Sequence, residues 1–550
     1  MSAKLRRWFR PCLEALEDRC LPSALTFTVT NLKDDGSAGS LRKRVEAANN
    51  HPGADIVVFK PGLTGTIKLF SGQIPICGGL TLLGPGASVV AVDGNANDRI
   101  FNIDDGTVGA TSSVTIKGLE LRNGKANSGG AIFSNENLTL IQDVIDGNQA
   151  IAAGGISAGG NLTIKKSTIS GNTATATPTT ATDAGGVYFA GTTLTVKGST
   201  ISGNTATTGA GGGLYLYSGA ATISKSLIAG NVAGGGSGGG IFAGSGVTSL
   251  TVTGSTLFAN RSSISGGGVH SYVGPMTITK CTIANNTATG SGGGVTAFGL
   301  LTISASRISD NTSDFTAGGI NAVGSAALTL TNSTVSGNLA RHEGGGLFRA
   351  VGPSTVTGCT FSGNQAEYGG AISVHANSSF TLSSSTLSGN RATKQGGAIY
   401  DLSAALVVHN STIVLNQAGL DSPFTSGGIF ANASVTLESS IVALNLATGI
   451  PSDLATDSMG AAFTATRCLI DNLGTGTVTI DDVTEQLKGL DPLLLPLADN
   501  GGPTQTHALR KGSPCIDQGD NPDNLATDQR GPPFARKLGH AVDIGAYERQ

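Results

Sequence analysis

Apolar and polar residues alternate in a block that recurs along most of the chain. In its clearest copy, Leu162, Ile164 and Ile169 alternate with polar residues, and the step Gly171-Asn172 follows. Alternation with a period of two predicts short strands with one buried face. A stretch of variable length comes next, and a Gly-Gly step precedes the following copy of the block.

The Asn of this block returns at intervals of 24 to 32 residues. A repeat of that length is typical of a solenoid, because three short strands and three turns use about this many residues at ~3.3 Å per strand residue. The sequence therefore predicts an all-β fold, a right-handed parallel β-helix solenoid of about a dozen turns, here called rungs. The repeated positions are Asn148, Asn172, Asn204, Asn231, Asn260, Asn286, Asn311, Asn338, Asn364, Asn390, Asn416 and Asn445.

Two corners of the rung have a chemical explanation. Stacked Asn side chains can form a ladder in which each amide donates to the next and satisfies a buried corner. The Gly-Gly step, for example Gly185-Gly186, suits a corner where φ is positive or two backbones approach closely. At ~4.8 Å per rung, a dozen rungs predict a shaft roughly 60 Å long.

The chain before the repeats has a different pattern. Residues 26–30 and 55–59 read as strands, and Ser40 can N-cap a short helix over Leu41 to Asn49. A helix at this end would shield the apolar face and the strand edges of the first rung. The predicted domains are residues 1–23 as an export leader, 24–115 as a cap with the first rungs, 116–487 as the β-helix repeats and 488–550 as a tail.

The composition argues against nucleic acid and a membrane-spanning helix. Charged residues make up 13% of the 550-residue chain, and the net charge is −3. Because no basic stripe is present, nucleic acid is not expected as a partner. No apolar run reaches the ~20 residues that a membrane-spanning helix needs, so no transmembrane helix is predicted. The sequence does not fix the oligomeric state.

The seven Cys are too scattered for a disulfide framework. Cys281 and Cys359 occupy the slot that Ser167 holds in the clearest copy of the block. They lie three rungs apart, which corresponds to about 14 Å and is too far for a disulfide. Small residues that fill an inward column are the favoured interpretation.

The first 23 residues lack the apolar segment of a secretory signal peptide. They nevertheless resemble the Leu-Glu-x-Leu-Glu-x-Arg-x-Leu-Leu-Ser leader of many planctomycete-type surface and secreted proteins. The resembling segment is Leu13-Glu14-Ala15-Leu16-Glu17-Asp18-Arg19-Cys20-Leu21-Pro22-Ser23, which departs from the leader at Pro22. The resemblance implies export.

The repeats resemble those of polymorphic outer membrane proteins of the chlamydial type. The shared steps are Gly-Gly-Ala-Ile, at residues 129–132, 369–372 and 396–399, and Phe-x-x-Asn, at residues 361–364. This resemblance implies a surface β-helix with an adhesive role.

The tail resembles the choice-of-anchor Q domain, which follows bacterial β-helices. The ordered matches include Asn500-Gly501-Gly502-Pro503-Thr504, Thr527-Asp528-Gln529-Arg530-Gly531 and Asp543-Ile544-Gly545-Ala546-Tyr547-Glu548. This resemblance implies surface attachment, and a cap on the C-terminal end of the solenoid is the alternative.

The predicted fold is similar to that of pectate lyases and polygalacturonases, which makes glycan cleavage the alternative function. The candidate catalytic residues are Glu343, Glu367 and Arg391, which all precede a Gly-Gly step and can share one face. The two Glu residues would lie about 5 Å apart, a separation that suits a retaining carboxylate pair. An ordinary solvated ridge of turn residues fits the same pattern and is favoured. Lyase chemistry would require Ca²⁺; otherwise no cofactor and no metal site are expected.

Aromatic residues recur at one further slot, directly after the aliphatic residue of the Gly-Gly step. They occupy seven of twelve such positions, whereas the whole chain is 5% aromatic. If the slot points outward, the rings form a lengthwise stripe that can stack on sugars or meet a partner. The alternative is a row of rings covered by the variable turns. The candidates are Phe133, Tyr188, Tyr215, Phe242, Phe348, Tyr400 and Phe430.

The leading functional hypothesis is non-enzymatic. It describes an exported extracellular or cell-surface shaft, associated with the outer membrane, that serves adhesion, glycan contact or envelope structure. The expected partner is a polysaccharide or another component of the cell envelope. The alternative is a polysaccharide lyase or glycoside hydrolase that acts on acidic polysaccharide, and fold alone does not decide between them.

Overall fold

The computed structural model describes residues 23–110, 112–175, 183–272, 274–375, 378–403, 405–419, 425–456, 461–473 and 477–550. The predicted leader, with Cys12 and Cys20, lies outside these ranges except for Ser23. Within them the chain forms a parallel β-solenoid of three sheets.

The first sheet has 31 strands, because most rungs contribute two short strands to it. Its strands are Thr26–Val29, Asp55–Phe59, Ile74–Ile76, Leu80–Leu83, Phe101–Ile103, Ser113–Lys117, Ile132–Ser134, Asn137–Ile141, Ile156–Ala158, Leu162–Lys165, Val187–Phe189, Thr193–Lys197, Leu214–Ser224, Ile241–Thr253, Val269–Ser271, Met276–Thr279, Val295–Ala297, Leu301–Ser304, Ile320–Ala322, Leu328–Thr331, Leu347–Arg349, Gly352–Thr357, Ile372–Val374, Ser378–Ser383, Ile399–Asp401, Ala405–His409, Ile429–Ala431, Val435–Glu438, Leu454–Ala455, Ala462–Thr466 and Thr477–Ile480.

The second sheet has 16 strands and the third has 14. Those of the second are Gly65–Lys68, Val90–Asp93, Glu120–Arg122, Val144–Asp146, Thr168–Ser170, Thr200–Ser202, Leu227–Ala229, Thr256–Phe258, Thr282–Ala284, Arg307–Ser309, Thr334–Ser336, Thr360–Ser362, Thr386–Ser388, Thr412–Val414, Ile441–Ala443 and Leu469–Ile470. Those of the third are Lys125–Ala126, Gln149–Ala150, Thr173–Ala174, Thr205–Ala206, Val232–Ala233, Arg261–Ser262, Thr287–Ala288, Thr312–Ser313, Leu339–Ala340, Gln365–Ala366, Arg391–Ala392, Gln417–Ala418, Leu446–Ala447 and Ile450–Pro451. The last of these pairs antiparallel.

The number of turns is about 16, counted on the second sheet, and exceeds the predicted dozen. The prediction followed the repeated Asn. Rungs at both ends of the shaft, such as those of Gly65–Lys68 and Leu469–Ile470, lie outside the run of repeated Asn from Asn148 to Asn445.

A nine-residue helix, α1 (Leu41–Asn49), covers the N-terminal end as predicted. The Ser40 side chain caps it by accepting from the Lys43 N–H, and Leu41, Val45 and Ala48 are buried against the first strands. A second helix, α2 (Asp482–Leu487), was not predicted.

The Asn ladder runs through the corner between the second and third sheets. Each Nδ2 donates to the Oδ1 of the next Asn at 2.9–3.0 Å, from Asn148 through Asn416. The last amide, Asn445, donates to Asp453 Oδ1 at 2.7 Å. The ladder therefore ends on a buried carboxyl group, which accepts the hydrogen bond of the last amide.

A second ladder lies at the corner between the first and second sheets. The backbone N–H of one rung donates to the Ser hydroxyl of the next, as from Ser167 to Ser199 at 3.2 Å. Cys281 and Cys359 stand in this inward column as buried free thiols. At its N-terminal end the column begins with Asp143, whose carboxylate accepts from the N–H groups of Leu119 and Ile141, both at 2.9 Å.

Replacing Asp143 by Ser should weaken the dependence of stability on pH. Burial raises the pKa of Asp143 to about 7 despite these hydrogen bonds, whereas an unfolded Asp titrates near ~3.9. The folded state therefore binds the proton more tightly, so the stabilisation is complete below about pH 4 and is lost as the pH rises through 7. Amide hydrogen exchange in strands Glu120–Arg122 and Val144–Asp146, corrected for intrinsic rates at pH 5 and pH 8, measures the local stability of these rungs. Between these pH values Asp143→Ser should lose roughly 2–4 kcal/mol less local stability than the unmodified chain.

The matched control is Asp146→Ser, on the outward side of strand Val144–Asp146, which directly follows Asp143. An equal change in both variants would contradict the assignment to the buried carboxyl group.

The tail lies along the outer side of the second sheet, over its last rungs. Gln529 Nε2 donates to Thr360 Oγ1 at 2.9 Å, and Thr386 Oγ1 donates to Gln529 Oε1 at 2.6 Å. Further along, the Ala546 N–H donates to Thr412 Oγ1 at 3.0 Å. An apolar cluster joins the two parts through Val414, Ile441, Ala443, Leu469, Leu487, Leu509, Cys515 and Ile544. The tail thus supports the side of the shaft. Helix α2 contacts the last strands and covers the C-terminal end of the shaft.

Candidate functional site

Glu343 lies in a network of side chains instead of an open cleft. Its side chain is buried, and its Oε2 accepts from Ser373 Oγ at 2.9 Å and contacts His375 Nε2. Burial alone would raise the pKa of Glu343, but the hydrogen bonds and charge of these neighbours hold that pKa below its ordinary value. Glu343 is therefore ionised near neutral pH, which does not suit a general acid.

The two Glu residues belong to consecutive rungs but are offset by one residue. The rung neighbour of Glu343 is Tyr368, not Glu367, so the two Glu residues are not in register. The His342 ring lies between them, with Nδ1 3.3 Å from Glu343 Oε1 and Nε2 3.9 Å from Glu367 Oε2. Glu367 is half-buried and forms an ion pair with Lys394.

Arg391 and Glu367 line a shallow groove on the outer face of the third sheet, with a volume of about 390 Å³. Among the eight described lining residues, Glu367 is the one carboxylate, and Glu343 does not take part. A hydrolase pair needs a second carboxylate on the other side of the sugar. The described groove therefore offers polar contacts but does not assemble an acid and base.

The aromatic slot is mostly covered. Tyr215 and Phe242 are 7% and 8% exposed, and Phe430 is fully buried. Phe133, Tyr188, Phe348 and Tyr400 are half-buried. The turns before the Gly-Gly steps account for this, because Ala184 and Ala210 pack on Tyr215 and Phe242. Of the two alternatives, the row of rings covered by the variable turns describes the buried members Tyr215, Phe242 and Phe430.

A second aromatic column is exposed and was missed. It lies two residues after the first slot, where alternation returns the side chain to the outer face. Tyr217 is 52%, Tyr272 46% and Phe298 37% exposed. Tyr215 and Tyr217 stand two residues apart in one strand, and this spacing could have predicted the second column from the sequence.

These rings form one surface, here called the aromatic patch, with neighbouring centroids 4.7–6.2 Å apart. Buried rings form its floor and exposed rings its outer layer. Its members are Tyr188, Tyr215, Tyr217, Phe242, His270, Tyr272 and Phe298.

The patch is uncharged at neutral pH. Burial lowers the pKa of His270 to about 4 and, with the neighbouring tyrosines and Asp183, raises that of Tyr215 to about 12. Neither ring nitrogen of His270 has a hydrogen-bond partner within the described protein, although the side chain is 2% exposed. A neutral imidazole with two unpaired nitrogens therefore lies in the floor of the patch.

One group of carboxylates in the described residues has the spacing of a cation site. Oxygen atoms of Asp104, Asp105 and Glu136 lie within 4.8 Å of one another. They already accept hydrogen bonds from their own loop, including Ser112 N–H to Glu136 at 2.8 Å and Ser112 Oγ to Asp105 at 2.7 Å. These hydrogen bonds give the three carboxylates a structural role in holding the loop.

The comparisons with known proteins concern the shaft. A family model described as "Right handed beta helix region" matches residues 107–276 and 274–439, which is more than half of the chain. Among solved structures, the crystal structure of pectate lyase Pel9A aligns over 96% of this chain and 98% of that chain, with 12% identity and a TM-score of 0.24. No curated protein matches the sequence. In the part of the chain that the structure describes, no helix has the length and apolarity required to cross a membrane.

Proposed function

The chain belongs to the right-handed beta-helix family, and from this premise we propose that it is an exported cell-surface or extracellular shaft that binds glycan without cleaving it. The observation that carries the proposal is the aromatic patch on the first sheet. Contiguous exposed rings on a soluble shaft mark a binding surface, because burying them against a ligand releases water from apolar area.

The chemistry of the patch favours sugar as the ligand. Pyranose rings present C–H faces that stack on aromatic rings, while their hydroxyl groups remain free to hydrogen-bond. The outer rings Tyr217, Tyr272 and Phe298 lie over a floor of packed rings, so their positions are fixed before a ligand arrives. A rigid surface loses little conformational entropy on binding.

Export and surface location are supported by the two terminal resemblances. The segment of residues 13–23 is similar to planctomycete-type leaders, and the tail is similar to the choice-of-anchor Q domain. The tail contacts the outer side of the second sheet, whereas the patch lies on the first sheet. Attachment through the tail would therefore leave the patch accessible.

Replacing the three exposed rings by alanine should abolish most glycan binding. The variant Tyr217→Ala/Tyr272→Ala/Phe298→Ala keeps the buried floor, and the loss of about 1 kcal/mol per ring corresponds to about a hundredfold weaker retention on insoluble polysaccharide. Retention is measured by depletion from solution, and circular dichroism checks that the shaft remains folded.

The matched control is Phe258→Ala, which removes a ring that is 42% exposed on the second sheet. Unchanged retention of the triple variant, or equal losses in both, would refute the assignment of binding to the patch.

A further inference from the structure

Beside the aromatic patch, the first sheet carries an outward column of threonines. Twelve successive strands place a Thr in register in this column, from Thr81 to Thr381. A parallel column two residues further on carries Ser or Thr in seven successive strands, from Ser224 to Ser383. The hydroxyl groups therefore repeat at the rung spacing, ~4.8 Å.

The rings and the hydroxyl columns belong to one hydrogen-bonded sheet. Strands Leu214–Ser224 and Ile241–Thr253 run through both parts, with Tyr215 paired to Phe242 and Thr222 to Thr251. An irregularity in the pairing between Leu216 and Ala220 separates the two parts. A ligand chain that crosses the shaft can therefore meet rings first and hydroxyl groups next.

This part of the sheet carries no ionic side chain. From Leu214 to Thr331, the first-sheet strands contain no Asp, Glu, Lys or Arg. The buried carboxyl group of Asp183, which is among the groups that raise the pKa of Tyr215, accepts from Thr208 Oγ1 at 3.3 Å. An acidic polysaccharide is normally held by Arg or Lys side chains or by bridging cations. The charged groups that border these strands are Lys197, which precedes Ser224 in the second column, and Lys225 and Lys280 at the next corner. The strand residues between them are complementary to an uncharged partner.

His270 is an independent sign of a hydrogen-bonding ligand. Buried polar groups almost always have partners, and those that lack one need an explanation. Both nitrogens of this side chain lack a partner, and its ring contacts the exposed rings Tyr272 and Phe298 at 4.7 and 5.7 Å. Both nitrogens are closed to solvent, so a ligand hydroxyl group would supply the missing partner where binding displaces the Tyr272 or Phe298 ring.

Building on the proposed function, we infer that the ligand of the patch is a neutral polysaccharide presented as an ordered array of chains. Its pyranose rings stack on Tyr217, Tyr272 and Phe298, and its hydroxyl groups bond to the threonine columns of adjacent rungs. A periodic donor surface suits a periodic ligand, because each rung repeats the same contact.

The test measures retention of the full chain on microcrystalline cellulose, chitin and mannan, with a polygalacturonate gel as the acidic probe. The variant is Thr251→Val/Thr277→Val/Thr302→Val, which removes three hydroxyl groups beside the patch while keeping β-branched shape. We expect retention on at least one neutral polysaccharide to fall fivefold or more. The matched control, Thr436→Val/Thr464→Val, lies at the same register position of later rungs, far from the aromatic patch. It should bind as the unmodified chain does.

The outcomes separate the two proposals. Binding to polygalacturonate alone that depends on the three rings would overturn the neutral ligand and leave the glycan-binding function standing. Equal retention of both valine variants would overturn the role of the threonine columns. Absence of ring-dependent binding to all four materials would overturn the glycan-binding function itself.

Discussion

Replacing Asn286 by Ala should destabilise the middle of the shaft by about 3–5 kcal/mol. The Asn286 side chain is fully buried and donates to Asn311 Oδ1 and to the Leu257 carbonyl oxygen, at 2.9 and 3.0 Å. It also accepts from the N–H and the Nδ2 of Asn260, at 3.0 and 2.9 Å. Alanine leaves these groups buried without partners, and a donor or acceptor stranded in this way costs far more than an exposed hydrogen bond.

Amide hydrogen exchange is the suitable measurement, because a solenoid unfolds rung by rung and a single unfolding free energy is poorly defined. Protection should fall in strands Thr282–Ala284 and Thr256–Phe258 and stay unchanged in distant strands. The control is Asn285→Gly, at an exposed position with φ of 57° where most rungs have Gly. Similar loss of protection in both variants would show that the amide ladder does not determine local stability.

Replacing Asp528 by Ala should release the tail from the shaft. Asp528 and Arg530 form a buried ion pair at 2.6 Å, and the guanidinium lies between the rings of Phe534 and Tyr547, 3.8 and 3.9 Å from their centroids. Removing the carboxylate leaves a buried charge without its counter-ion, at a cost of about 3–5 kcal/mol. The neighbouring Gln529, which bonds to the shaft, would lose its fixed position.

Limited proteolysis measures the release, with cleavage expected within residues 488–550 at least tenfold faster than in the unmodified chain. The control is Asp499→Ala, whose exposed carboxylate accepts from the Gly501 N–H at 2.9 Å. Glycan retention should not change in either variant, because the patch lies on another sheet. Resistance of Asp528→Ala to protease would contradict the account of the tail as a brace held by this ion pair.

Most of the fold could be predicted from the sequence because the same pattern of buried, polar and corner residues recurs in most rungs. Alternating residues such as Leu162 and Ile164, the corner Asn and the Gly-Gly step each favour the same rung. At Gly240, for example, a Cβ would lie 2.6 Å from the Gly268 carbonyl oxygen, so only Gly fits. Helix α2 escaped prediction because six residues with two buried side chains give too short a pattern to recognise.

The candidate site was predicted less well because it depends on turns of variable length. The slot of Tyr215 and Phe242 was found from the repeat, but its burial follows from how Ala184 and Ala210 fold over it. The exposed rings Tyr217, Tyr272 and Phe298 do not recur in every rung, so the period alone did not reveal them. The offset of Glu343 from Glu367 follows the strand register, because Leu347 pairs with Ile372 and four residues before each lie Glu343 and Tyr368.

The most direct test of the central claim is a glycan screen of the full chain that reads binding and sugar release in the same wells, with and without Ca²⁺. The account predicts binding to neutral polysaccharide that does not require Ca²⁺, is lost in the triple ring variant and is accompanied by no released sugar. Release of unsaturated or reducing sugars would contradict it, and would make Glu343, Glu367 and Arg391 the first residues to replace.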